Sequence, residues 1–125
     1  MSRLIVKSYL WLLWTECFMV FRSLRALHIQ VRTRKVDSPR SGRLHRPDEL
    51  CLAMDFACVF YPKQVLCLQR AAATTQLLRD YGIRAEMVIG AQLVPFLSHA
   101  WVEVDGNVVN DKPYIRDIYQ ELERC

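Results

Sequence analysis

Residues 67–111 read CLQRAAATTQLLRDYGIRAEMVIGAQLVPFLSHAWVEVDGNVVND, and their patterning decides the fold. The first third is a helix by composition: Ala71, Ala72, Leu77, Leu78 and Tyr81 recur at helical spacing. Gly82 supplies the stop, because glycine accepts the left-handed backbone that ends a helix. The run from Ala71 to Thr75 is small, a surface that can lie close against a sheet. Residues 83–90 then read as a strand. Residues 98–104 alternate, with Ala100, Val102 and Val104 on one face and His99, Trp101, Glu103 and Asp105 on the other. A tight turn at Asp105-Gly106 or Gly106-Asn107 makes a hairpin, and residues 107–110 begin the returning strand.

Upstream, residues 3–31 hold no Gly or Pro and are rich in Leu, Trp and Phe, which fits one long helix or two short ones. Leu10, Leu13, Trp14, Cys17, Phe21, Leu24 and Leu27 recur at helical spacing and are expected to form the face packed on the core. Trp11, Leu12 and Phe18 widen that stripe, enough to leave apolar surface for a protein partner or a membrane face. Residues 36–48 hold two prolines, a glycine and two serines, the composition of a loop. Asp48 is the expected N-cap of a helix running through Phe60, closed by Tyr61-Pro62. Residues 117–124 are expected to form a short terminal helix. Helices followed by a small antiparallel sheet define an α+β class.

With 125 residues and 52% hydrophobic content, the chain suffices for a single domain, residues 1–125. The net charge of +4 is uneven. Arg22, Arg25, Arg32, Arg34, Lys35, Arg40, Arg43 and Arg46 face only Asp37, while acids and bases nearly balance from Asp48 onward. Residues 1–46 are therefore read as a helical, basic region suited to docking an anionic partner, and 47–125 as the core. No aromatic residue interleaves with the basic run, which argues against single-strand stacking and so against nucleic acid. Five cysteines without regular spacing, and no cleavable signal sequence, point to a reduced, cytoplasmic protein with free thiols. No Cys or His pair has metal-ligand spacing, so no metal is expected. Lys7, Glu16 and Arg22 cut the apolar N-terminal stretch into uncharged runs of eight and five residues, too short to span a bilayer.

A thiol becomes a nucleophile when its thiolate is stabilised or its proton is taken. A helix N-terminus and a histidine do the one and the other. Cys67 falls in the first turn of its helix, where unsatisfied N–H groups also suit an oxyanion. His99 lies on a strand, and the hairpin brings residue 99 opposite roughly residue 111, where cross-strand neighbours are about 5 Å apart. Asp111 is thus placed to orient His99 through its second ring nitrogen, with the adjacent Asn110 as the alternative orienting group. Gln64 is a further oxyanion-donor candidate. Cys17, Cys51 and Cys58 read as packing residues, Cys125 as a terminal thiol, and His28 and His45 as solvated. Arg70 and Trp101 are candidates for lining the substrate site, though core packing and surface charge account for them as well.

From Cys67 onward the chain resembles the leader peptidases of lasso-peptide biosynthesis, a transglutaminase-like cysteine protease family. The resemblance is carried by a CL-x-R-A start, a leucine pair before Gly-Ile, a VIG strand, a Pro-Phe and an HAWVE-x-DG block. The separations between Cys67 and His99 and between His99 and Asp111 match that family's catalytic set. It implies a papain-like core with Cys67 as nucleophile, His99 as general base and Asp111 as its orienting carboxylate, working without a cofactor. The implied reaction is hydrolysis of one peptide bond, freeing a ribosomally made core peptide from its leader. Implied partners are the precursor leader peptide, a separate leader-recognition protein docked on the N-terminal region, as in the split form of this peptidase, and an ATP-dependent macrolactam-forming cyclase. Two alternatives stay open: an acyl transferase using the same three side chains, and a non-catalytic peptide-binding module.

Overall fold

A computed structural model describes residues 2–22, 24–33, 47–62, 64–93 and 96–124. Helices α1 (Ser2–Phe21), α2 (Leu24–Thr33), α3 (Pro47–Phe60) and α4 (Cys67–Asp80) come first. Strands β1 (Ala85–Leu93), β2 (Phe96–Val104) and β3 (Asn107–Val108), one turn of helix α5 (Ile115–Ile118) and strand β4 (Gln120–Arg124) follow. The sheet is antiparallel in the order β3-β2-β1-β4. The fold is α+β, with the helical layer on one face of the sheet. The expected loop over 36–48 and most of the arginine-rich run lie outside the described residues. Pro47 and Asp48 already belong to α3, so Asp48 sits inside the first turn rather than capping it, where its charge still favours the helix dipole.

Helix α4 is the central element. Ala71 to Thr75 are fully buried, and their small side chains admit Ala100 and Val102 of β2 on one side and α1 and α3 on the other. Thr75 returns its hydroxyl to the Ala71 carbonyl at 2.8 Å, which makes its burial tolerable. The C-terminus closes as the sequence predicts. Gly82 takes φ 80° and donates to Arg79 O, while Ile83 N–H reaches Leu78 O at 3.0 Å, a Schellman arrangement that satisfies two orphan carbonyls. Buried Arg79 donates to Ala85 O at 3.1 Å and to Val31 O, pinning β1 and α2 to this helix.

Helix α1 packs through a face other than the expected one. Leu4, Ser8, Leu12 and Thr15 are buried against α3 and α4, whereas Leu10, Leu13, Trp14, Cys17 and Phe21 are exposed. The helix is apolar nearly all round, so periodicity alone does not select a side. The chosen side is the narrow one: Ser8 and Thr15 donate to Leu4 O and Trp11 O, each at 2.7 Å, and so hide their hydroxyls while α4 approaches. Gln69 Nε2 of α4 donates to Leu12 O at 3.1 Å. Residues Arg3–Phe21 also pass, by length and composition alone, as a helix able to cross a membrane, a measure that sets aside the charges at Lys7 and Glu16. Their buried stripe nonetheless belongs to the core of this fold.

The terminal segment departs from expectation as well. Only Ile115–Ile118 is helical, and residues 120–124 form β4 against the outer edge of β1. An edge strand with open N–H and C=O groups recruits a partner, and that requirement outweighs the helix propensity of Gln-Glu-Leu-Glu-Arg. Helix α5 and Tyr119 fold over the second face of the sheet, so Trp101 and Glu103, expected on its outer side, are buried with Val88 and Ile115.

Candidate active site

The hairpin fixes the register of the site. Asp105 (φ 52°) and Gly106 (φ 80°) make the turn, and Val104 pairs with Asn107 and Glu103 with Val108. Beyond Val108 the ladder ends. Val109 N–H still reaches Val102 O at 3.0 Å, and the Asn110 side chain accepts from Val102 N–H at 2.8 Å. Asn110 therefore caps the edge of β2, and Asp111 is the residue delivered to the imidazole. His99 Nε2 and Asp111 Oδ2 stand 2.5 Å apart, both side chains about a quarter exposed. The second carboxylate oxygen accepts from Lys112 N–H at 2.8 Å. Partial burial pushes the Asp111 carboxyl up; the bonds from His99 and Lys112, helped by the charges of His99 and Arg70, more than offset this, so it lies below the usual carboxylate range.

Cys67 is the first residue of α4, with Leu66 at the cap and no side chain capping that end. Its thiol is free and exposed, at the open N–H groups of the first turn. Among the described residues it makes no hydrogen bond, and the structure brings His99 and Asp111 together without joining the sulfur to them. Two features orient the sulfur's surroundings. Arg70 lies three positions on, hence on the same side of the helix, and its charge acts on Asp111. The outer edge of β2 beside His99 carries no strand partner among the described residues, because β3 is only two residues long.

The remaining candidates separate clearly. Cys51 is buried, and desolvation with the charges of Asp55 and Asp48 pushes its thiol up to about 12, so it stays protonated. Burial raises the Cys58 thiol too. Cys17, expected in the core, is exposed on the open face of α1, and the His28 side chain, His45 and Cys125 lie outside the described residues. Arg70 is tied by Nη2 to Asp55 Oδ1, joining the first turn of α4 to α3, while its Nε is buried with no partner among the described residues. Trp101 is buried, its indole N–H donating to Glu103 at 2.8 Å, so it supports the site from beneath rather than lining it. Gln64 is exposed and, with Glu16, Met19, Val20, Leu66 and Gln69, lines a groove of about 490 Å³ beside the start of α4. A second hollow of about 390 Å³, bounded by Lys7, Leu10, Trp11, Trp14 and Asp80, lies at the other end of that helix. Tyr119 escaped the sequence reading. Its ring stacks on His99 at 5.3 Å between centroids, and no local motif announces a residue contributed from the junction of α5 and β4. Among the described residues no group of His, Cys, Asp and Glu is arranged to hold a metal ion.

With the helical layer, the antiparallel sheet and this geometry described, the chain can be compared with known proteins. The model of the Transglutaminase-like superfamily matches residues 11–124. The chain belongs to that superfamily. This transglutaminase-like chain is also 47% identical over 51 residues to the microcin J25-processing protein McjB of Escherichia coli. That stretch is 41% of the present chain and 24% of McjB, so the likeness spans about a quarter of the relative's length. No solved structure matches.

Proposed function

We propose that the chain is a cytoplasmic cysteine peptidase that removes the leader from a ribosomally made lasso-type precursor peptide. The observation that carries this reading is the His99–Asp111 contact, on a chain whose exposed Cys67 opens a helix in a transglutaminase-like fold. The processing role borne by McjB's name supports the substrate class.

In this reading Asp111 holds Nε2, leaving Nδ1 of His99 to take the Cys67 proton. The thiolate adds to the scissile carbonyl carbon, and the oxyanion is met by N–H groups at the start of α4. The imidazolium returns its proton to the departing amine, giving a thioester that water, deprotonated by His99, hydrolyses. The exposed thiol favours catalysis over a peptide-binding module that keeps only the old fold. Residues 47–125 form the catalytic core. Residues 1–46 dock a separate leader-recognition protein, for which the exposed Leu10, Leu13, Trp14 and Phe21 of α1, bordered by Lys7, Arg22 and Arg25, provide an apolar and basic surface. The freed core peptide then passes to an ATP-dependent macrolactam-forming enzyme.

The test is Cys67→Ala and His99→Ala, each incubated with precursor peptide and recognition protein and scored by mass spectrometry. Both variants lose leader removal. Cleavage retained by Cys67→Ala ends the proposal, and a new amide or cross-link in place of two free fragments identifies an acyl transferase.

A further inference from the structure

His99 is held by more than Asp111. Its imidazole stacks on Tyr119 at 5.3 Å and 24°, and lies 6.3 Å and 25° from the Trp101 ring, while Trp101 and Tyr119 are 6.4 Å apart. The cluster has a built foundation. Trp101 spreads over Gly90 of β1, where an added Cβ would stand 2.7 Å from the indole and 3.0 Å from Gln120 O, so that position admits no side chain. The indole N–H is fixed on buried Glu103, which Arg124 of β4 engages at 3.0 Å. Tyr119 itself is set by its N–H bond to Ile115 O at 3.2 Å and by the pairing of Gln120 with Ala91 and Glu121 with Gly90.

A single hydrogen bond at Nε2 fixes one corner of an imidazole and leaves its plane free to rotate about that contact. An aromatic ring laid on the face removes the rotation, and offset stacked rings are mutually attractive. We infer that Tyr119 is a positioning residue: it holds the His99 ring plane so that Nε2 stays on Asp111 and Nδ1 keeps the side open to a thiol. The inference rests on the peptidase reading for its consequence, but its physical content is the Tyr119–His99 contact alone. It also gives residues 115–124 a task in the site, since α5 and β4 bring Tyr119 from the far edge of the sheet.

The experiment compares Tyr119→Phe, Tyr119→Leu and Tyr119→Ala with wild type by long-range proton–nitrogen NMR of the His99 ring, with no peptide present. Wild type and the Phe variant keep one locked Nε2–H tautomer. The Leu and Ala variants give averaged ring nitrogens, the Leu variant doing so with its fold retained by circular dichroism. On the precursor peptide, the Leu variant loses about ten- to a hundredfold in kcat with KM little changed, as for a misoriented group, and the Phe variant stays within about threefold of wild type. An unaltered tautomer lock in folded Tyr119→Leu overturns the inference whatever the activity. Cleavage by Cys67→Ala refutes the peptidase reading and leaves the His99–Tyr119 coupling standing.

Discussion

Asp111 Oδ2 meets His99 Nε2 at 2.5 Å, and this contact occupies one of the two nitrogens of the imidazole. Nδ1 is the nitrogen left for a thiol, so the carboxylate, with the ring plane held, selects the tautomer and the direction of proton transfer. Asp111→Asn keeps the shape but reverses the donor pattern at one oxygen, favouring the wrong tautomer. Leader removal is expected to fall about 10³- to 10⁴-fold in kcat with little change in KM. Single-turnover cleavage of the precursor checks this, and a loss below tenfold removes Asp111 from the orienting role.

The same contact makes stability depend on pH. The folded Asp111 carboxyl lies below its ordinary value of 3.8, held there by His99 and Lys112 against the opposing effect of burial. A depressed folded value stabilises the fold fully above the ordinary carboxylate range, and that contribution disappears as pH falls through the folded value. The melting-temperature gap between wild type and Asp111→Asn is therefore widest above about pH 5 and narrows as pH falls through 3.8 towards the folded value. Thermal melts across that range measure it. A gap that widens with acid contradicts the assignment.

Asn110 and Asp111 adjoin in sequence and do different work. Asn110 Oδ1 accepts from Val102 N–H, the last backbone donor of β2 that the hairpin serves on that side. Asn110→Ala is expected to cost about 1–2 kcal/mol in urea unfolding, the price of an orphaned, part-buried N–H. Its activity below the melting temperature stays within a few-fold of wild type. The reverse outcome, unchanged stability with activity lost, would return Asn110 to the catalytic set.

The sequence was most informative where a side chain has one role. Helix α4, its Gly82 stop, the Asp105-Gly106 turn and the His99–Asp111 proximity all follow from local spacing, because turn geometry fixes register over a dozen residues. It was least informative where tertiary demand chooses among equal options. The packed face of α1 could not be read from a helix apolar on every side, and β4 depends on an edge of β1 some thirty residues away. Tyr119 belongs to the same class: its partner His99 is defined by the sheet order and not by any spacing around α5.

Arg70 tests how α4 is coupled to the pair. Its ion pair with Asp55 is roughly two-fifths exposed and contributes at most about 1 kcal/mol. Arg70→Met should therefore leave chemical denaturation nearly unchanged. Loss of the cation should still move the Asp111 carboxyl back toward its ordinary range, whereas Arg70→Lys keeps it lowered. Carboxyl carbon NMR of Asp111 in both variants reads this directly. An Asp111 titration indifferent to Arg70→Met would mean that the first turn of α4 does not face the site.

Leu12 and Leu13 are neighbours with opposite fates, and they decide which side of α1 is core. Leu12 is fully buried, with its carbonyl held by Gln69, while Leu13 is 39% exposed on the side shared with Leu10 and Trp14. Truncating a buried leucine removes its transfer energy and leaves a cavity, so Leu12→Ala is expected to cost about 2–5 kcal/mol. Leu13→Ala should stay within about 0.5 kcal/mol of wild type, as an exposed substitution does. Because the open face of α1 is the proposed docking surface, Leu13→Ala combined with Trp14→Ser should weaken capture by the leader-recognition protein while the melting temperature holds. Titration calorimetry and thermal melts on the same samples separate the two effects. A Leu13 variant that unfolds as readily as the Leu12 variant would place both sides of α1 in the core and leave no surface there for a partner.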